Sequence, residues 1–303
     1  LHEPPGAEVA SRGEGATRVE AMCGRYASSR RPEDLIEEFE IDQPRIAAPL
    51  EPDYNVAPTK EVYAVVQRPP RGAVGADGAD GADGTDPEPE RQLRVLRWGL
   101  VPSWAKDPSI GNRMINARSE TVAEKPAFKR AFARRRCLLP ADGYYEWYPT
   151  SQTTAAGRPR KQPFFIRPAD GGVLAMAGLY EIWRDPTRDD DDPERFRWTC
   201  TVITTEAEDA LGRIHDRMPM MVERERWAQW LDPTRAPGAA DLSALLSPAA
   251  PGRLEAYPVA PLVSNVRNNG PELVTPLPLD DLPDGVADEL ADDLVAAPSG
   301  GTP

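Results

Sequence analysis

The sequence contains few of the side chains from which metal sites and disulfide frameworks are built. Its 303 residues include three cysteines and two histidines, which are Cys23, Cys137, Cys200, His2 and His215. They stand too far apart to form a CxxC zinc knuckle or a pattern of disulfides. Two histidines also supply too few ligands for a structural zinc site. We therefore expect neither a metal ion nor another cofactor, and we expect Cys137 and Cys200 to be unreactive thiols in the core.

Long apolar runs are also absent. No stretch reaches the roughly 20 apolar residues that are needed to cross a bilayer. The first 21 residues lack the apolar centre of a secretion signal. These two absences predict a cytoplasmic protein that has no membrane partner.

Negative charge is distributed unevenly along the chain. The net charge is −13, yet residues 91–185 contain 17 Lys and Arg against 8 Asp and Glu. Residues 72–90 contain six acidic residues and residues 280–303 contain seven, and neither segment has a basic residue. We expect the acidic segments to remain unfolded and the basic middle of the chain to attract an anion. The alternative is that the basic residues only solvate a surface.

The pattern of β-branched and aromatic residues predicts antiparallel strands joined by long loops. Two acidic segments, 72–90 and 186–194, have no periodic apolar positions and are interpreted as loop insertions within hairpins. The strands predicted around these loops are 61–68, 91–102, 173–183 and 198–207. The predicted helices are 31–40, 125–135, 222–231 and 240–246. Strands that do not alternate regularly with helices favour an α+β fold with mainly antiparallel sheet and peripheral helices.

A single domain is assigned to residues 22–279, followed by a disordered acidic tail over residues 280–303. Residues 1–21 have no fold signal and begin with Leu, so they are interpreted as a disordered leader or as the result of a start codon assigned too far upstream. Met22 is then the true start. Aminopeptidases that remove the initiator Met accept Cys as the next residue, and the mature chain would begin at Cys23.

A terminal Cys23 would carry an α-amine beside its thiol. The reference pKa of such an amine is about 7.7–8.0, so part of it is neutral at pH 7. An amine and a thiol on adjacent carbons condense with an aldehyde, first as an imine and then, through attack by sulfur, as a five-membered thiazolidine. This chemistry predicts an aldehyde substrate.

Eight segments of the sequence occur in the order of one known family. They are MCGRYA (22–27), YNVAPT (54–59), RWGLVPSWA (97–105), MINARSET (114–121), CLLPADGYYEW (137–147), QPFFI (162–166), IHDRMP (214–219) and SNVRNNGPEL (264–273). In these segments the chain resembles the SRAP, or SOS response-associated peptidase, family over residues 22–277. Proteins of that family shield abasic sites in single-stranded DNA by covalent cross-linking. The resemblance implies the same fold and activity here.

The resemblance also implies roles for four catalytic residues. Cys23 matches the nucleophile, whose amine and sulfur both bond to the sugar aldehyde. Asn116 matches the asparagine that holds the cysteine and the sugar in place. Glu146 lies among three aromatic residues in DGYYEW, which should raise its pKa toward a proton-transfer role. His215 is the natural general acid for opening the sugar ring, because an unperturbed imidazole titrates at about pH 6.5.

Six further residues are candidate DNA contacts, namely Arg25, Asn55, Pro58, Trp104, Arg118 and Arg217. Each of the three arginines stands close in sequence to a candidate catalytic residue, which suits the binding of phosphates beside the lesion. The other three resemble residues of the family's loops that stack on bases or wedge beside them. A basic run at residues 134–136 is interpreted as a solvated helix end.

The resulting hypothesis is a sensor of abasic sites in single-stranded DNA that acts through a Cys23 thiazolidine. Weak strand cleavage would accompany it, because an imine permits β-elimination. Two alternatives are a thiol peptidase that removes its own leader and a single-strand binder that uses a basic groove without covalent chemistry. The predicted partner is abasic single-stranded DNA, with replication-fork proteins as further candidates. We expect a monomer associated with the nucleoid.

Overall fold

Two β-sheets form the body of the protein in the computed structural model, which describes residues 23–69, 88–207, 211–234, 241 and 244–282. The strands in these ranges are β1 (Tyr26–Ser28), β2 (Gln43–Arg45), β3 (Asp53–Val56), β4 (Glu61–Arg68), β5 (Glu90–Trp98), β6 (Asn116–Arg118), β7 (Arg136–Ala141), β8 (Gly143–Thr153), β9 (Pro159–Pro168), β10 (Leu174–Arg184), β11 (Phe196–Glu206), β12 (Arg217–Pro219) and β13 (Leu254–Pro258). Sheet A has the order β13-β9-β8-β1-β3. Sheet B has the order β12-β11-β10-β7-β4-β5-β2, with β6 beside β11. The expected α+β fold with mainly antiparallel sheet is confirmed.

The two sheets pack face to face and enclose the main core. Successive side chains of a strand point to opposite faces, so every second residue of the central strands is available for this layer. Tyr144 and Phe164 of sheet A pack in it with Val66, Leu139 and Cys200 of sheet B. The thiol of Cys200 is thus a core group, as expected.

Three short helices cover the outer face of sheet B. They are α1 (Pro32–Glu38), α2 (Lys129–Arg134) and α3 (Trp227–Leu231). Leu35, Phe132 and Trp230 of these helices form a second core with Val65 and Leu138 of the sheet. Three of the predicted helices are confirmed with shorter bounds, and the fourth, 240–246, lies only partly among the described residues. No helix in the described ranges is long and apolar enough to cross a membrane.

Both predicted hairpins are present. Strands β4 and β5 pair antiparallel from Glu61 opposite Arg97 to Arg68 opposite Glu90. Strands β10 and β11 pair in the same sense. Residues 72–87 of the first predicted insertion lie outside the described residues, as do the leader 1–21 and most of the tail.

The second acidic loop, between β10 and β11, differs from the expectation of an unfolded segment. Arg188 donates to Asp192 at 2.6 Å, and Arg197 donates to Asp185 at 2.6 Å. Arginines within the loop and at the strand ends therefore neutralise its carboxylates. Exposed ion pairs each contribute only about 0–1 kcal/mol, but several of them restrict the same short loop.

The basic run 134–136 is a solvated helix end at Arg134, which is exposed at the last position of α2, but its last residue is buried. Arg136 is 2% exposed and begins β7. Its guanidinium donates to the carbonyl oxygens of Phe132 at 2.7 Å, Ala133 at 2.9 Å and Trp230 at 2.6 Å. Carbonyls at the end of a helix have no partner within the helix. One buried arginine thus caps the ends of both α2 and α3.

Candidate active site at the junction of the two sheets

Cys23 lies just ahead of β1 and connects the two sheets. Its backbone N–H donates to the Glu146 Oε1 of β8 at 2.9 Å, and its Sγ lies 3.6 Å from the carbonyl oxygen of Arg217 in β12. The residue is only 4% exposed. Its φ of 46° lies in the left-handed region, which residues other than glycine rarely adopt. The chain therefore turns sharply here and directs both the nitrogen and the sulfur toward the junction.

The position of Glu146 follows from the alternation of β8. Glu146 lies opposite Phe164 of β9, so the two side chains share the face that contains the main core. Tyr144 lies on this face as well. Tyr145 and Trp147 instead pack on the outer face of sheet A. The expectation that all three neighbouring aromatics surround the carboxyl is therefore wrong for these two, because adjacent strand residues point in opposite directions.

Burial sets the protonation of both groups. The pKa of Glu146 is raised because burial disfavours its charged form, and the hydrogen bond from Cys23 opposes this effect only in part. Burial likewise raises the pKa of the Cys23 thiol, and the nearby charge of Glu146 raises it further. The expected direction for Glu146 is confirmed. The site thus holds a neutral thiol beside a carboxyl that can take up and release a proton.

His215 approaches this pair from the loop before β12. Its Nδ1 accepts a hydrogen bond from the Arg217 N–H at 3.1 Å, so a neutral ring carries its proton on Nε2. The Asp216 carboxylate lies 3.1 Å from the same Nδ1 and can pair with the ring when it is protonated. The electrostatic effect of His215 on the Glu146 carboxyl lowers the pKa of Glu146, but burial outweighs this effect.

Arg217 has a carboxylate partner that the sequence did not reveal. Its Nη1 donates to Glu120 Oε1 at 2.5 Å, its Nη2 donates to Glu120 Oε2 at 3.1 Å, and Nη2 also donates to the Thr204 carbonyl at 2.7 Å. The residue is 8% exposed. A phosphate can reach this guanidinium only by exchange with Glu120. The 97 positions between the partners explain why no local pattern indicated the pair.

Strand β6 brings two more candidate residues to the same place. Asn116 and Arg118 pair with Val202 and Thr204 of β11 in parallel register. Ala117 between them belongs to the core under the helices, so Asn116 and Arg118 face the opposite side, toward sheet A. Asn116 is half-buried and Arg118 is exposed. Arg118 therefore remains accessible to a phosphate.

Asn55 is fully buried, which differs from the expectation of a base contact. Its Nδ2 donates to the carbonyl oxygens of Val263, Asn265 and Asn268 at 3.0–3.2 Å, and its Oδ1 accepts from Arg25 Nη1 at 2.7 Å. A side chain with no exposed surface cannot reach a base. Asn55 instead holds the loop 263–268 against β3.

The remaining candidates lie on loops. Trp104 is 60% exposed on the loop after β5, and this loop is held by the indole N–H of Trp183, which donates to the Ala105 carbonyl at 2.7 Å. Pro58 is half-buried in the turn after β3, where Thr59 has a φ of 75°. A large exposed indole on an anchored loop is suited to base stacking.

Comparison with known proteins identifies the family. Residues 22–266 match the model of the SOS response associated peptidase (SRAP) family. The abasic site processing protein YoqW of Bacillus subtilis is 38% identical over 253 residues, which cover 84% of this chain and 99% of YoqW. The abasic site processing protein YedK of Escherichia coli is 31% identical over 84% of this chain and 100% of YedK.

Solved structures share the fold. A protein of Bacteroides thetaiotaomicron superposes with a TM-score of 0.63 at 23% identity, over 84% of this chain and all of that chain. A phage-related protein of Bordetella bronchiseptica gives a TM-score of 0.52 at 29% identity, over 78% of this chain and 94% of that chain. The family-model match over most of the sequence, together with the 38% identity to YoqW, places the chain in the SRAP family.

Proposed function

We propose that the protein captures abasic sites in single-stranded DNA by forming a thiazolidine between Cys23 and the opened sugar. One observation carries the proposal: the Cys23 nitrogen lies 2.9 Å from the buried carboxyl of Glu146. The chemistry requires removal of the residues before Cys23, so that this nitrogen becomes an α-amine. The names of YoqW and YedK as abasic site processing proteins support the substrate class.

The first bond forms between nitrogen and carbon. The abasic deoxyribose opens to its aldehyde when the C1′–O4′ bond breaks, O4′ gains a proton and the C1′ hydroxyl loses one, and His215 is assigned to transfer these protons. The amine then adds to C1′. Glu146 takes a proton from the nitrogen and passes it to the C1′ alkoxide, and a second proton, from solvent, lets the resulting hydroxyl group leave as water. The product is an iminium ion inside the junction, next to the sulfur.

The second bond forms between sulfur and the same carbon. Because the pKa of the Cys23 thiol is raised, the sulfur is protonated until a positive charge develops beside it. Glu146 removes the thiol proton as sulfur attacks C1′, and the electron pair of the C=N bond moves to nitrogen. Aldehyde and aminothiol thus give a thiazolidine and one water. Asn116 is assigned to hold the sugar during both steps.

Strand cleavage competes with ring closure. While the imine persists, loss of a C2′ proton expels the 3′ phosphate by β-elimination. Closure consumes the imine and so protects the strand. We propose weak lyase activity as the consequence of this competition. DNA is held through its phosphates, with the exposed Arg118 as the first contact, so recognition depends on the lesion and not on base sequence.

Peptidase activity has less support from the site. A thiol peptidase attacks a neutral peptide carbonyl, so no iminium charge develops beside the sulfur to offset the raised pKa of the Cys23 thiol. A non-covalent binder would have no use for a buried carboxyl beside the Cys23 nitrogen. For the Cys23 variants, both alternatives predict results that differ from those expected of thiazolidine formation.

The test uses an oligonucleotide that contains one abasic site. Wild-type protein should give a conjugate that survives denaturation, with the attachment at Cys23 in mass spectrometry. Cys23→Ala retains the amine, so its adduct should survive only after reduction with borohydride, and it should cleave more strand than wild type. Retention of the leader should abolish both products. A denaturation-resistant conjugate formed by Cys23→Ala without reductant, or by protein that retains its leader, contradicts the proposal.

A further inference from the structure

The loop of residues 262–267 is held rigidly although its outer side chains are exposed. Asn55 binds two carbonyls of this loop and the carbonyl of the residue that follows it, as described above. Asn268 Nδ2 donates to the Leu262 carbonyl at 2.8 Å, and Trp147 Nε1 donates to Ser264 Oγ at 3.1 Å. These hydrogen bonds offset the conformational entropy that is lost when the loop is fixed. The hydrogen bonds therefore present a defined surface.

That surface is apolar at two points. Leu262 is 53% exposed and Val266 is 49% exposed. Only Trp104 and Phe196 among the large apolar residues of the described chain are similarly exposed. These two exposed side chains stand four positions apart on one fixed loop, and we call the pair the 262/266 platform.

The platform lies beside the start of β1. Arg25, two residues after Cys23, donates from Nη1 to the Val263 carbonyl at 3.0 Å. One arginine side chain therefore spans the distance between β1 and the loop. A DNA strand attached at Cys23 has neighbouring nucleotides within reach of this edge, because successive phosphates of a strand are several ångströms apart.

The charge around the platform indicates which part of the nucleotide it contacts. Arg267 on the loop is exposed, but the carboxylate of Glu272 packs against Gly270 close by. A phosphate would meet opposite and like charges together, whereas the face of a base is uncharged and can pack on an apolar surface. We infer that the 262/266 platform binds an unpaired base next to the abasic nucleotide. This inference rests on the proposed function and adds a contact outside the Cys23 site.

The test measures binding separately from chemistry. The full chain is titrated against single-stranded oligonucleotides in which a tetrahydrofuran spacer, which has no aldehyde, replaces the abasic sugar. The double variant Leu262→Ser/Val266→Ser should raise Kd by about tenfold, as expected when roughly 60 Å² of apolar contact with a base is lost. Phe196→Ser removes a comparably exposed apolar side chain from the start of β11 and should leave Kd within about twofold of wild type.

A second measurement uses wild-type protein and changes only the DNA. When the base on one side of the spacer is also removed, the affinity of the wild-type protein should fall by about the same tenfold factor. The affinity of the double variant should show no further loss. Equal Kd values for wild type and double variant overturn the inference, and so does a difference that persists when both neighbouring bases are absent. Failure of the proposed function is seen separately, as absence of a conjugate with a reactive abasic oligonucleotide.

Discussion

The Glu146 carboxyl is the group on which the proposed chemistry depends most. Glu146→Gln keeps an oxygen that can accept the hydrogen bond from the Cys23 nitrogen, now 2.9 Å away, but it cannot transfer a proton. General acid–base catalysis contributes about 10²–10⁴-fold to a rate. We expect cross-linking to slow by that factor, which corresponds to about 3–5 kcal/mol in the activation barrier.

Stability should change in the opposite direction. Because burial raises the pKa of Glu146, the folded protein favours the protonated carboxyl. The stability linked to a raised pKa is complete below the unfolded value of about 4.3 and is lost as the pH rises through the folded value. A glutamine is neutral at every pH and avoids this loss. Glu146→Gln should therefore be at least as stable as wild type at pH 7, although it reacts more slowly.

Single-turnover cross-linking between pH 5 and pH 8, together with thermal unfolding at pH 7, measures both effects. The cross-linking rate of the wild-type protein should rise with pH, and the midpoint of this rise should lie above the usual pKa range of a glutamate. Glu181→Gln is the matched control, because Glu181 is also buried but pairs with Arg135 on the far side of sheet B. The control should lose stability and keep its rate. Cross-linking by Glu146→Gln within about threefold of wild type would refute the role in proton transfer.

Three other substitutions separate binding from folding. Trp104→Ala should weaken binding of abasic single-stranded DNA by about 1–3 kcal/mol without lowering Tm, since the indole is 60% exposed; a lower Tm with unchanged Kd would contradict this. Arg136→Met leaves the carbonyls at the ends of α2 and α3 without donors and should lower the free energy of unfolding by about 3 kcal/mol. Denaturant unfolding measures this change, and an unchanged midpoint would show that the cap is dispensable. Glu120→Gln should lower the free energy of unfolding by at most about 1 kcal/mol, because Glu120 is half-exposed. It should also steepen the salt dependence of DNA binding by about one phosphate contact, because Arg217 loses its carboxylate partner. An unchanged slope would mean that Arg217 does not bind phosphate.

Local sequence was sufficient to predict the long hairpins. The β-branched and aromatic runs at 61–68 and 173–183 became β4 and β10, because a strand on either side of a sheet core needs these residue types over its whole length. The same reasoning failed at Arg136. Its partners are carbonyls on two helices, one of them 94 positions away, and composition carries no information about such contacts.

The candidate site shows the same limit. Sequence motifs indicated Cys23, Glu146 and His215, and the structure brings them to one junction. The motif that contains Asn55 could not show that this amide faces inward, since burial depends on the loop that covers it. Glu120 was missed because its importance comes from Arg217, which is distant in sequence.

Strand β1 has only three residues, yet it lies between β8 and β3 and is hydrogen-bonded on both sides. A nucleic acid joined to the chain just ahead of β1 passes any mechanical load into this strand. If DNA is joined at Cys23 as proposed, tension along β1 is resisted by hydrogen bonds to both neighbouring strands at once, which is harder to overcome than peeling a strand from a sheet edge.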